Sequence, residues 1–102
     1  MHAITRHARI RQMNFGTGSA QEVRDRLEAD VLPIYLDSPG YVSYSVVWAD
    51  VSTLITIRVF DDLDTLEAAN TAASAASAQI VADFAVAPSE PSEGEVILFD
   101  SI

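Results

Sequence analysis

Between Pro39 and Asp62 the chain reads PGYVSYSVVWADVSTLITIRVFDD, two apolar stretches parted by a short polar break. Tyr41 to Trp48 and Leu54 to Phe60 are rich in aromatic and β-branched residues, which suit a pleated, half-buried backbone. Ala49 to Thr53, with Asp50 and Ser52, has the composition of a hairpin loop. Pro39-Gly40 stops whatever precedes the first strand. In a regular strand Val42, Tyr44, Val46 and Trp48 share one face, opposite Tyr41, Ser43, Ser45 and Val47. In the second strand Ile55, Ile57 and Val59 oppose Leu54, Thr56, Arg58 and Phe60. Neither face of this hairpin is polar, so both are expected to be covered. Helices can cover one. The other needs a second layer that a chain this short does not supply.

Upstream, Ala3 to Met13 sets Ile4, Arg6, Ala8 and Ile10 against Thr5, His7, Arg9 and Arg11, a strand pattern with many polar members. Ser19 and Glu22 form a capping box, after which Ala20, Val23, Leu27, Val31 and Ile34 recur at helical spacing. Pro33 should break the last turn, ending the helix near Val31 and leaving Ile34, Tyr35 and Leu36 in an irregular connection. Downstream, Asp64 is the expected N-cap of a second helix, with Glu67 in its first turn. Leu66, Ala69, Ala73, Ala76, Ile80 and Phe84 make its stripe, while Asn70, Ser74 and Ser77 make a polar one. Its Ala/Ser-rich middle fills little volume, so the helix either lies close to the sheet or roofs a space in which a ligand could sit. Glu95 to Phe99 (EVILF) is the expected last strand. The order strand, helix, strand, strand, helix, strand is that of an α+β, ferredoxin-like βαββαβ unit with an antiparallel sheet.

Composition narrows the function classes. The 102 residues suffice for one core, and residues 1–102 read as a single domain. There is no cysteine, hence no disulfide or thiolate site, and no apolar run long enough for a membrane span. The N-terminus has no signal-peptide pattern, which makes a cytoplasmic protein the simplest expectation. The net charge of −9 argues against nucleic acid as a partner. Charge is unevenly placed: all six basic residues are arginine, five lie at or before Arg26, and nine acids follow Arg58 with no further base. Arg6, Arg9 and Arg11 therefore either pair with acids of the C-terminal segment or attract an anionic or phenolate ligand.

The run LEADVLPIYLDSPGYVSYSVVWADVSTLITIRVFDD, with its Leu-Pro turn, Pro-Gly-Tyr strand start and Val-Phe-Asp-Asp exit into the second helix, resembles antibiotic-biosynthesis-monooxygenase-type domains, and the GEVILFD terminus matches as well. The resemblance implies a dimeric α+β barrel, in which two sheets associate face to face. It thus supports a homodimer of the kind the two-faced hairpin suggests. Oxygenases of this family imply chemistry with no metal or flavin, hence no cofactor. An electron-rich phenol or anthrone is held between sheet and helices as its anion, which reacts with oxygen. The haem-degrading branch of the superfamily requires a histidine on the second helix, and Leu66 to Phe84 contains none.

Such a site needs an apolar slot, a hydrogen-bonding group for an oxyanion, and a base. Trp48 and Arg58 are candidates for slot wall and anion partner, and Tyr44 for a donor on the Trp48 face. The bland alternatives are that Trp48 and Tyr44 are core or interface aromatics and that Arg58 pairs with an acid across a dimer. His7, beside Arg9, is the candidate base. Asn70 matches in type an asparagine that some family enzymes use, although its polar stripe also suits a solvent-facing surface. Two functions fit. One is a cofactor-independent monooxygenase-like enzyme acting on a small aromatic or polyketide-type substrate. The other is a non-catalytic homodimeric module that binds a small hydrophobic ligand or serves as an accessory domain.

Overall fold

A computed structural model of the protein describes residues 5–100. Four strands form one antiparallel sheet in the order β2-β3-β1-β4, with β1 at His7–Asn14, β2 at Tyr41–Asp50, β3 at Thr53–Phe60 and β4 at Ser92–Glu95. The predicted βαββαβ order and antiparallel pairing hold, and the helices cover one face. The first two residues of the predicted first strand, Ala3 and Ile4, and also His2, lie outside the described residues.

Ser19 caps α1 (Ala20–Arg26) as expected, its side chain accepting from Glu22 N–H while Glu22 accepts from Ser19 N–H. The helix does not stop near Val31. Leu27–Val31 widens into a π turn, closed by Leu32 N–H donating to the Leu27 carbonyl, and α2 (Leu32–Leu36) carries the helix on through Pro33. A proline at this position has no N–H for the Ala29 carbonyl and clashes with it in a regular helix. The wide turn just upstream removes that conflict. It also corrects the core assignment: Tyr35 is buried, whereas Ile34 is only half-buried.

Gly40 turns the chain into β2 with φ +80°, and a Cβ placed there would stand 2.6 Å from the Thr65 hydroxyl. Backbone conformation and the close approach of Thr65 thus both select glycine. Gly40→Ala is expected to destabilise the fold by more than about 1 kcal/mol, read as a lower urea midpoint at unchanged slope.

The hairpin turn is tighter than predicted: the strands run to Asp50 and from Thr53, leaving Val51 and Ser52 at the tip. A bulge between Tyr41 and Ser43 shifts the pairing, so that Tyr41 stands opposite Phe60 while Tyr44 stands opposite Arg58. Tyr41 therefore packs edge-on against Phe60 with centroids 5.8 Å apart, not on the face of Ser43 and Val47 as strict alternation implies.

The N-cap of α3 (Leu63–Asp83) is Asp62 rather than Asp64; its carboxylate accepts from Thr65 N–H at 2.8 Å. That bond is the main reason the Asp62 carboxyl titrates below its usual value. The expected stripe is otherwise present, with Leu66, Ala69, Ala73 and Ile80 fully buried and Phe84 nearly so. These residues meet Val23, Leu27, Val31, Tyr35, Met13, Leu54 and Phe60 in one core between helices and sheet.

The last strand is displaced from its predicted place. Pairing puts Ser92 to Glu95 against Ile10 to His7, and Val96 N–H still reaches the Arg6 carbonyl at 2.8 Å. Beyond that β1 has run out, and Ile97 and Leu98 are 91% and 87% exposed. On the sheet face away from the helices lie Ala8, Ile10, Val47, Ile55 and Ile57, with Ile10 and Val47 exposed. The second layer inferred from the hairpin is not supplied by the described residues.

Candidate functional site

Pairing on the helix-side face determines which side chains can meet. Arg9 stands opposite Arg58, Arg11 opposite Thr56, and Tyr44 opposite Arg58 on the other side. Three guanidiniums and a phenol are thereby gathered under α3 by two strand registers. The helix above them presents Asn70, Ser74, Ser77, Ala78 and Val81, and these small side chains leave a cleft of about 340 Å³ lined also by Arg9, Arg11, Arg58 and Tyr35. A narrow inner recess of about 20 Å³ adjoins it, walled by Leu27, Val31, Ile80, Met13, Tyr44 and Thr56. The alanine- and serine-rich helix is thus a roof over a space. The cleft is at the small end of the range for ligand sites and joins apolar walls to a few polar groups.

Arg58 is its central group. It is only 8% exposed, and its one side-chain hydrogen bond among the described residues is a long one, Nη1 to Thr56 Oγ1 at 3.4 Å. Its guanidinium stands 5.7 Å from the centre of the Tyr35 ring. No carboxylate pairs with it among the described residues, and its Nε is buried without a partner. Burial pulls the guanidinium below its ordinary value, an effect that Tyr35 and then Tyr44 oppose. Arginine remains charged through such shifts.

Tyr35 and Tyr44 stack edge-to-face with centroids 5.2 Å apart, and Tyr35 also leans on Phe60 at 5.8 Å. The Tyr35 hydroxyl donates to Asn70 Oδ1 at 3.4 Å, leaving the Asn70 amide nitrogen buried and unpartnered. Burial raises the titration of both phenols, so each is neutral near pH 7.

Of the residues predicted from sequence, Arg58, Tyr44 and Asn70 come together here. Asn70 is half-buried, and with Ser74 and Ser77 of its stripe it lines the cleft. Trp48 does not join them. It sits opposite Leu54, four residues along β2 from Tyr44, is 65% exposed, and walls a separate groove with Ala20, Gln21, Arg24, Val46 and Leu54. His7 lies at the start of β1 opposite Phe60, outside the cleft lining, with its Nδ1 buried and unpartnered among the described residues. Sequence reasoning did not single out Tyr35, which the assumed break at Pro33 hid. It also split Arg9 and Arg11 from Arg58, although both patterns put them at alternate strand positions. Arg9 pairs with Glu93 at 3.2 Å, as the C-terminal acids suggested, and Arg6 lies over the Phe99 ring at 4.4 Å. No helix among the described residues is long and apolar enough to cross a membrane.

No protein-family model and no curated protein sequence matches the chain. Solved structures do match. A protein of unknown function from Nitrosomonas europaea, NE2512, superposes with a TM-score of 0.70 at 20% identity over 97% of this chain and 94% of its own. SnoaB, a cofactor-independent oxygenase from Streptomyces nogalater, gives a TM-score of 0.69 at 14% identity over 96% and 97%. A protein from Chloroflexus aurantiacus provisionally named an antibiotic biosynthesis monooxygenase gives 0.70 at 18% identity over 95% and 98%. With the strand order, the covering helices and these near full-length superpositions, the chain has the antiparallel α+β, ferredoxin-like fold of these proteins, among them one named for antibiotic biosynthesis monooxygenase.

Proposed function

We propose that the protein is a homodimeric, cofactor-independent monooxygenase-like enzyme that oxidises a small aromatic or polyketide-type substrate in the cleft between sheet and α3. The observation that carries this reading is the buried, acid-free Arg58 guanidinium facing a cleft of ligand size. A positive charge beside a phenol or anthrone favours its anion, and a fixed donor in a water-poor recess favours that charge more strongly than water does. The substrate loses a proton from its ring-activated CH₂, and the resulting resonance anion transfers electrons to dioxygen. Overall, CH₂ and O₂ become C=O and H₂O. In this reading Arg58 and Arg11 hold the oxyanion, Tyr44 and Asn70 orient the ring system, and Trp48 and His7 have no part in the cleft. SnoaB, a cofactor-independent oxygenase with the same fold, supports it.

Oxygen uptake with anthrones and dihydroxynaphthalenes in chelator-treated buffer tests the proposal. Uptake above the uncatalysed rate is expected. Binding without any uptake would favour the second reading, a non-catalytic ligand-binding or accessory dimer. That reading has its own support: no His, Asp or Glu lines the cleft to serve as a base.

The dimer is proposed to form through the uncovered sheet face, whose apolar residues would otherwise lie in water. Ile57→Lys puts a charge at the middle of that face and is expected to yield monomers in sedimentation at micromolar concentration, where the parent chain sediments as a dimer.

A further inference from the structure

The charges around the cleft do not balance. Its lining includes three guanidiniums, from Arg9, Arg11 and Arg58, on neighbouring strands and on one face. Among the described residues Glu93 answers Arg9, and no acid pairs with Arg11 or Arg58. The Nε atoms of all three arginines, and Nδ2 of Asn70, are buried with no acceptor among the described residues. Arginine does not escape this by losing its proton. Nor do the neighbouring tyrosines supply a counter-charge, since burial keeps both phenols protonated. A buried cation with unused donors, as at Arg58, is costly in a folded protein unless an anion joins it, and half-exposed Arg11 adds a second positive charge to the same cleft.

We propose that the ligand of this cleft is an aromatic acid, carrying a carboxylate that is held by Arg11 and Arg58 in addition to the ring system that fills the space. This rests on the cleft being the ligand site described above and narrows what it accepts. A phenol alone is a poor match. It is mostly protonated near pH 7, and even as an anion it offers one charge to two guanidiniums. A carboxylate is charged throughout that range and accepts two parallel N–H bonds from a guanidinium fork. An acid that also bears a phenol or an activated CH₂ answers both cations once its second oxyanion develops. The serines of α3 and the Asn70 amide at the mouth suit its remaining oxygens.

The test compares 3-hydroxy-2-naphthoate with 2-naphthol by titration calorimetry, in low-salt buffer near pH 7. The two probes share the ring and hydroxyl and differ in the carboxylate. The protein is expected to bind the acid at least about tenfold more tightly. Arg11→Met, at a half-exposed position on β1, is expected to weaken binding of the acid about tenfold more than it weakens binding of 2-naphthol. Added sodium chloride should weaken binding of the acid alone, a check that needs no variant. Equal affinity for both probes, or equal losses in Arg11→Met, would overturn the carboxylate assignment while leaving the cleft an aromatic site. Binding of neither at millimolar concentration would overturn both the assignment and the reading of the cleft.

Discussion

Phe60→Ala is expected to lower the unfolding free energy by about 3–5 kcal/mol, a large part of the roughly 5–15 kcal/mol typical of a domain this size. Phe60 has no exposed surface and ends the central strand β3, where the rings of Tyr35 and Tyr41 meet it edge-on, each 5.8 Å away. These contacts are held by separate irregularities: the Tyr41–Ser43 bulge aims Tyr41 inward, and the π turn precedes the helical segment carrying Tyr35. Neither ring can follow a truncated side chain without breaking strand pairing or helix, so most of the volume remains as a cavity. Urea unfolding at fixed protein concentration measures the loss, since the proposed dimer would add a concentration-dependent contribution to apparent stability. An unchanged midpoint would show that the aromatic cluster collapses freely.

Arg58→Met separates activity from stability. In the proposed reaction Arg58 is the donor to the developing oxyanion, and removing it is expected to reduce kcat/KM for oxygen uptake by about 100–1000-fold. The same change replaces a buried cation lacking an acid partner by an apolar side chain of similar length, so stability should be kept or increased. Arg58→Lys, which retains charge without the planar fork, should fall between. A variant that lost stability and kept activity would place Arg58 among structural groups.

The fold was legible because its strongest signals are local and repeated: the capping box at Ser19, the glycine stop at Gly40, the β-branched hairpin and the small-residue helix. What escaped was pairing and phase. Nothing local to EVILF says that the partner strand ends where Glu95 meets His7, so the segment read as a strand although only Glu95 lies in the ladder and Val96 adds one further bond to Arg6. Nothing local to Tyr41 announces a bulge. The cleft was legible in part: the Ala/Ser helix indicated a space, and Arg58, Tyr44 and Asn70 fall beside it. Trp48 shares a face with Tyr44, as alternation required, but distance along the strand takes it away from Arg58. The π turn did leave a trace. Val23, Leu27, Val31 and Tyr35 are three successive gaps of four residues, each overshooting a helical turn by about 40°, or about 120° in all. A regular helix cannot keep all four inward; a wide turn absorbs the excess.

That wide turn, with the bulge after Tyr41, has a consequence for comparing sequences. Each irregularity adds one residue to an element while leaving the flanking faces in phase. A related chain with a regular helix and an unbulged strand would be two residues shorter between Val23 and Tyr44, with the same core. Aligned without gaps at these two places, it would match its counterparts of Tyr44, Arg58 and Asn70 to the wrong residues here. At identities of 14–20%, that is enough to hide a shared site behind a shared fold.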